Sequence, residues 1–140
     1  MKICIITSTR ADFGLLKNLI ISIKKNKKFT SKVIASGAHF SKKYGYTFNE
    51  IKESKIKIDK KIICKLNSDN PIGISKILSK CVVETSKIFK TFRPDILIVL
   101  GDRYEILAST IAAHLNRVPV AHIHGGEVTQ GVVDDAFRHS

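Results

Sequence analysis

Apolar and polar positions along the chain predict strands and helices in alternation. Short apolar runs rich in β-branched residues have the length of buried strands at 2–7, 32–35, 56–64, 95–100 and 118–123. Between these runs, apolar residues recur at helical spacing over 15–23, 47–53, 74–89 and 106–115. Asp12 is the predicted N-cap of the first helix, and residues 67–71 form a predicted turn.

Strands that alternate with helices favour a parallel sheet with right-handed crossovers. We therefore expect an α/β fold with a doubly wound parallel sheet. The 140 residues contain no internal repeat, low-complexity tract or interdomain linker, which predicts a single domain over 1–140. A last helix begins at Asp134 and stops within two turns without a C-cap, so we expect a truncation of something longer.

Composition excludes several classes of protein. Hydrophobic residues make up 44% of the chain and charged residues 26%, which is typical of a globular domain and excludes disorder. No apolar run approaches the roughly 18 to 20 residues of a membrane-spanning helix, and the N-terminus lacks the apolar core of a secretory signal. Cys4, Cys64 and Cys81 lie in apolar segments without CxxC spacing, which indicates buried, reduced thiols in a cytoplasmic protein.

The net charge of +12 is concentrated in one part of the chain. Residues 17–65 contain 14 Lys, no Arg and only three acidic residues. Clustered lysines can neutralise nucleic-acid phosphates, but this segment has no interleaved Arg and no RNP, KH or helix-turn-helix signature. We interpret it as a solvated basic face, with weak attraction of an anionic substrate as the alternative, and we expect no nucleic-acid partner.

Three polar clusters follow predicted strands, at the end where open parallel sheets bind ligands. The first, at 7–14, combines hydroxyl groups, a helix N-terminus and the guanidinium of Arg10, which together favour an anion. An ordinary βα turn with a surface Arg is the alternative. Neither GxGxxG nor GxxxxGK[ST] is present, so we expect no dinucleotide cofactor and no P-loop mechanism.

The second cluster, at 101–105, leaves the most hydrophobic predicted strand and contains Asp102, Arg103 and Glu105. Charges at the exit of a buried strand are costly without partners or a purpose, which suggests a functional role. The alternative is an Asp102 that caps the next helix beside a solvated Arg103.

The third cluster follows the last predicted strand and consists of His122, His124 and Glu127, with Asp134, Asp135, Arg138 and His139 further on. A His-x-His pair with a nearby Glu is compatible with metal ligation. The intervening Gly-Gly more naturally lets the backbone approach a ligand closely, and the acidic residues suit proton transfer. A purely structural loop is the remaining alternative.

Four segments, STRADFGLL, GDRYEIL, HIHGGE and DDAFRH, resemble in their order and spacing the hydrolysing UDP-N-acetylglucosamine 2-epimerases of sialic- and legionaminic-acid biosynthesis. The resemblance spans nearly the whole chain. It implies the N-terminal half of a GT-B-type fold, in which two Rossmann-like domains enclose the active site. Members of the family are usually more than twice this long, in agreement with the expected truncation.

The resemblance also implies a two-stage reaction. The C2 proton is removed and UDP leaves C1 by elimination, which gives a 2-acetamidoglucal. Water then adds with inverted configuration at C2 and releases N-acetylmannosamine. No cofactor and no metal are implied; the expected partners are a UDP-sugar and, in the full-length enzyme, further copies of the chain, with no membrane. We expect the fragment alone to be inactive.

Residue roles follow from matching the motifs. Asp102 and Asp134 fall at the family's acidic catalytic positions, and Arg10 falls at the position that contacts the nucleotide diphosphate. Arg103 lies beside the active-site acid. The residues expected to bind substrate are Arg10, Arg103, Glu127, Asp135 and Arg138.

His124 is a departure from the family pattern, because several members read H-I-E-G-G where this chain reads H-I-H-G-G. Imidazole is a competent acid or base near neutral pH, so we include His124 in the catalytic set. The exchange leaves a UDP- or GDP-linked 2,4-diacetamido sugar open as an alternative substrate. A nucleotide-sugar-binding half-domain without catalysis is the alternative from another class.

Overall fold

The computed structural model describes residues 1–42, 45–64, 70–127 and 134–140, except for the side chains of Asp134 and Asp135. In chain order the described elements are β1 (Lys2–Thr7), α1 (Arg10–Lys25), β2 (Thr30–Ser36), a 3₁₀ helix (Gly37–Phe40), α2 (Phe48–Glu53), β3 (Lys60–Ile62), α3 (Pro71–Phe92), β4 (Ile96–Leu100), α4 (Tyr104–Leu115), β5 (Val120–Ile123) and α5 (Asp134–His139).

The five strands form one sheet in the order β3-β2-β1-β4-β5, and every neighbouring pair is parallel. From β1 the chain proceeds outward to β3, and it then returns to place β4 on the other side of β1. The direction of winding therefore changes between β1 and β4, and a crevice for ligands is expected at the carboxyl ends of these two strands.

Apolar side chains fill both faces of the sheet. In β1, Cys4 and Ile6 belong to the buried cluster packed against α3 and α4, whereas Ile3 and Ile5 belong to the cluster packed against α1 and α2. Successive residues of a strand point to opposite faces, so helices must cover both sides to bury this run. The predicted α/β, doubly wound parallel sheet is confirmed.

The start of α1 differs from the prediction. Thr9 is the N-cap: its Oγ1 accepts a hydrogen bond from the Asp12 N–H at 3.2 Å, and the Asp12 carboxylate accepts one from the Thr9 N–H at 3.1 Å. Both residue types cap helices, and in this reciprocal capping box the threonine stands first. Asp12 as the N-cap was wrong by three positions.

The third strand is shorter than the predicted 56–64. The Val33 N–H donates to the Asp59 carboxylate at 2.9 Å, and the Asp59 N–H donates to the Val33 carbonyl at 2.8 Å. The Asp59 side chain thus accepts the hydrogen bond from this N–H of β2 in place of a backbone carbonyl of β3. Regular pairing between the two strands begins only at Lys60. Residues 65–69 of the predicted turn lie outside the described part of the chain; Asn70 caps α3 and Pro71 is its first residue.

Cys4, Cys64 and Cys81 are buried free thiols, as predicted. Burial raises the pKa of the Cys4 thiol to about 12. Among the described residues, no helix has both the length and the apolar character needed to span a bilayer.

Candidate functional site

The loop between β1 and α1 is organised by the buried carboxylate of Asp12. One oxygen of this carboxylate accepts hydrogen bonds from the Ser8 Oγ at 2.8 Å, the Ser8 N–H at 3.2 Å and the Thr9 N–H at 3.1 Å. A Cβ at Gly101, whose φ is +96°, would lie 3.3 Å from the other oxygen. The loops that follow β1 and β4 therefore pack directly against each other at the crevice.

Arg10 is the first residue of α1 and projects from this loop. Its Nε lies 2.9 Å from a carboxylate oxygen of Glu50 in α2, and 74% of the side chain is exposed. Arg10 and Arg103 both line a cleft of about 340 Å³ that also includes Thr9, Thr47 and Glu50. Two guanidinium groups and a helix N-terminus on one small cleft suit a phosphate or diphosphate, which would compete with Glu50 for Arg10.

His39 lies wholly buried beneath the cleft, and sequence reasoning did not single it out. Its Nε2 is 3.0 Å from the Thr7 hydroxyl and its Nδ1 is 2.9 Å from the Thr47 hydroxyl, so it joins the end of β1 to the start of α2. Burial lowers the pKa of His39 to about 4, against the opposing influence of Asp12. The imidazole is therefore neutral at physiological pH and serves as a fixed spacer.

Arg103 is mostly buried and contacts Glu105. Its Nε donates to one carboxylate oxygen of Glu105 at 3.1 Å and its Nη2 to the other at 3.4 Å. Glu105 is wholly buried, and burial raises its pKa although Arg103 acts in the opposite direction. Sequence reasoning included Glu105 in the second cluster but gave it no role, because an acidic residue in the first turn of a helix is an ordinary surface feature.

Asp102 accepts a hydrogen bond from the Nη2 of Arg138 in α5, and only 11% of the Arg138 side chain is exposed. This ion pair brings α5 to the end of β4. The alternative of a capping Asp102 beside a solvated Arg103 was wrong, because the N-cap of α4 is Arg103 itself.

His124, Glu127 and Arg138 extend the contact made by Asp102. The His124 Nδ1 hydrogen-bonds to the Glu127 carboxylate, and the Arg138 Nη1 donates to the Glu127 carbonyl at 3.2 Å. His124 has a φ of +61°, an uncommon conformation for a residue other than glycine. Four predicted site residues thus form one connected network at the ends of β4 and β5.

His122 fixes the backbone next to this network. Its Nε2 donates to the Gly101 carbonyl at 2.6 Å, which ties β5 to the residue before Asp102. Within the described ranges, no group of three or more His, Cys, Asp and Glu side chains is arranged to hold a metal ion. Asp134 and Asp135 begin α5, but their side chains lie outside the described part of the structure.

A parallel sheet with an arginine-lined cleft and a carboxylate–imidazole network at its carboxyl edge defines a Rossmann-like α/β protein with a candidate site for an anionic ligand. Residues 21–140 match the family model described as UDP-N-acetylglucosamine 2-epimerase, and the chain belongs to this family. The family resemblance seen in the four sequence motifs is therefore confirmed.

Relatives of known name are similar over almost the whole chain. A GDP/UDP-N,N'-diacetylbacillosamine 2-epimerase (hydrolyzing) from Campylobacter jejuni is 42% identical over 99% of the chain. A UDP-N,N'-diacetylbacillosamine 2-epimerase (hydrolyzing) from Legionella pneumophila is 36% identical, and a UDP-N-acetylglucosamine 2-epimerase from Neisseria meningitidis is 34% identical. The chain spans 36% of the length of the Campylobacter protein and 37% of the Legionella protein.

Solved structures agree on the fold. A crystal structure of a UDP-N-acetylglucosamine 2-epimerase superimposes with a TM-score of 0.85 at 22% identity, covering 99% of this chain and 38% of that one. The Neisseria meningitidis UDP-GlcNAc 2-epimerase bound to UDP-GlcNAc superimposes with a TM-score of 0.81 at 24% identity, over 99% of this chain and 37% of that one. At these identities the likeness establishes the Rossmann-like architecture, the N-terminal half of a GT-B-type fold.

Proposed function

We propose that this chain forms, as one domain, the N-terminal wall of the active site of a hydrolysing sugar-nucleotide 2-epimerase. The observation that carries the proposal is the network of Asp102, Arg138, Glu127 and His124 at the carboxyl ends of β4 and β5. This network supplies groups for proton transfer, and the sequence neighbour of its carboxylate, Arg103, borders the anion cleft.

The diphosphate of the substrate binds in the cleft between Arg10 and Arg103. Arg10 stands at the first position of α1, where the helix dipole also favours negative charge. The ion pair between Arg10 and Glu50 is exposed and therefore weak, so a diphosphate can displace the carboxylate. Both arginines then stabilise the negative charge that develops on the leaving group as the bond to C1 breaks.

Proton transfer is assigned to Asp102, His124 and Asp134. Glu127 accepts a hydrogen bond at Nδ1 of His124, which leaves Nε2 as the nitrogen that exchanges protons with the sugar. One base of the set takes the proton from C2 while the electron pair of the C1–oxygen bond leaves with the nucleotide. Water then adds across the resulting C1–C2 double bond. Its hydroxyl group bonds to C1, and C2 receives a proton on the face opposite to the one from which the first proton was removed.

Two substrates are candidates. The Campylobacter and Legionella relatives are named for N,N'-diacetylbacillosamine and are 42% and 36% identical to the chain. The Neisseria relative is named for UDP-N-acetylglucosamine and is 34% identical. Higher identity, together with His124 in place of the family's acid, favours a nucleotide-linked 2,4-diacetamido sugar over UDP-N-acetylglucosamine.

Complementation in solution tests the proposal. The chain is mixed with a separately expressed C-terminal segment of the Campylobacter relative, the part that the chain does not cover, and release of UDP or GDP is followed for each candidate substrate. We expect nucleotide release from the mixture and from neither part alone, because positioning by both walls of a cleft supplies much of the rate.

The controls separate the elements of the proposal. Turnover by the 140-residue chain on its own would show that the reaction needs no second wall but would support the chemistry. Binding of the two parts without nucleotide release from any candidate substrate would contradict the epimerase assignment and favour a binding half-domain. The substrate with the largest kcat/KM identifies the sugar.

A further inference from the structure

Among the described residues, Glu105 is the only acidic side chain with no exposed surface, and the proposed chemistry does not use it. It lies in the first turn of α4, one residue beyond the start of the helix. A buried carboxylate is costly, and an apolar residue of similar volume often gives an equally stable protein. The presence of this buried carboxylate therefore calls for a reason other than stability.

The surroundings of Glu105 fix its carboxylate on two sides. On one side, Arg103 donates from Nε and Nη2 to the two carboxylate oxygens. On the other side lies Gly37, where a Cβ would come within 2.5 Å of one carboxylate oxygen. Gly37 also has a φ of +58°, which favours glycine, so the 3₁₀ helix after β2 leaves room for the carboxylate.

This contact determines which way the Arg103 guanidinium faces. Two parallel hydrogen bonds between a guanidinium and a carboxylate restrict both the rotation and the tilt of the guanidinium plane, which a single hydrogen bond does not. The Nη2 of Arg103 also donates to the Tyr104 hydroxyl at 3.3 Å, and the guanidinium carbon lies 5.1 Å from the centre of that ring. Only 26% of the Arg103 side chain is exposed, and it borders the cleft shared with Arg10.

We propose that Glu105 is a positioning residue that holds the Arg103 guanidinium in the orientation required to bind the substrate's diphosphate. The inference rests on the proposed function, since it assigns the partner that Arg103 meets in the cleft. Glu105 acts through Arg103 and does not itself touch the ligand. Gly37 is the companion requirement, because any side chain there displaces the carboxylate.

The test uses the chain itself, inorganic pyrophosphate as the probe, and the Glu105→Gln variant, which keeps the volume of the side chain. The NMR signal of the Arg103 Nε–H, assigned by its loss in Arg103→Gln, reports the contact without any ligand. We expect slow solvent exchange of this proton in the wild type and fast exchange in Glu105→Gln. Pyrophosphate should bind the variant about tenfold more weakly, the effect of one charge-assisted hydrogen bond.

A thermodynamic cycle shows whether Glu105 acts through Arg103. We expect the double variant Arg103→Gln/Glu105→Gln to bind pyrophosphate no more weakly than Arg103→Gln alone. Glu84→Gln, which removes an exposed carboxylate on α3, is the matched control and should leave the affinity unchanged. Glu105→Asp keeps the charge and should recover part of the affinity, and it serves as the second variant if Glu105→Gln unfolds.

Two outcomes distinguish this inference from the proposed function. The positioning role is wrong if Glu105→Gln binds pyrophosphate as tightly as the wild type and its Arg103 Nε–H signal is unchanged, or if a lower Tm is the only effect of the substitution. Either result leaves the anion cleft in place as a diphosphate site. A wild-type chain that shows the protected Arg103 signal but binds pyrophosphate no better than Arg10→Ala contradicts the cleft as a diphosphate site. In that case Glu105 holds Arg103 for another purpose, and the inference as stated is wrong.

Discussion

Acid should destabilise the chain through His39, the imidazole buried beneath the candidate cleft. Burial lowers the pKa of His39 from 6.5 to about 4, so the folded protein resists a proton that the unfolded chain accepts. The stability that depends on neutral His39 is complete above pH 6.5 and is lost as the pH falls towards 4. At about 1.4 kcal/mol for each pH unit between the two values, the full loss is about 3 kcal/mol.

Urea unfolding as a function of pH measures this loss. The His39→Gln variant, which can still hydrogen-bond to Thr7 and Thr47, should be less stable than the wild type at neutral pH. Its stability should fall less steeply with acid, so that its stability rises relative to that of the wild type between pH 6.5 and 4. His114→Gln, at an exposed histidine of α4, is the control and should follow the wild type. Parallel curves for wild type and His39→Gln between pH 6.5 and 4 would refute the reasoning.

Three further predictions concern the loops after β1 and β4. In the enzyme complemented with the C-terminal segment, Arg10→Ala should raise KM about tenfold. Arg10→Lys should restore KM only in part, because the planar guanidinium that binds two oxygens at once is lost. Arg117→Ala, at the opposite end of the sheet, is the control and should leave KM unchanged. Asp102→Asn should lower kcat by about 100-fold or more with Tm and KM nearly preserved, and a normal kcat would remove Asp102 from the chemistry. Asp12→Ala should lower the free energy of unfolding by about 1 to 3 kcal/mol, since three donors lose their acceptor; an unchanged midpoint in urea would show that the loop does not depend on this carboxylate.

Much of the fold could be predicted from the sequence, because its strongest signals are local. The composition of the apolar segment at 96–100 alone predicts a buried strand, and this segment forms β4. The polar clusters meet at one edge because consecutive parallel strands all end there. The beginning of β3 could not be predicted, since it depends on the Asp59 side chain bonding to Val33, which lies 26 residues earlier in the chain.

The sequence could predict which residues belong to the candidate site, but it could not predict which of them contact each other. Asp102 and Arg138 were both expected, yet their pairing joins residues 36 positions apart, and no local pattern encodes it. His39 and the role of Glu105 were missed for a related reason. Their surroundings come from other elements: His39 lies between Thr7 of β1 and Thr47 before α2, and Glu105 packs against Gly37 of the 3₁₀ helix. Each therefore looks unremarkable within its own segment.

The shortness of β3 has a consequence for how copies of the chain behave together. A strand at the border of a sheet offers unpaired backbone groups to which another molecule can add, the first step towards aggregation. Here that border is three residues long, and Lys60 and Lys61 are both exposed on it. A second molecule approaching this edge meets like charge and too few backbone partners to form a ladder. The lysine-rich segment thus protects this edge of the sheet against aggregation at high protein concentration.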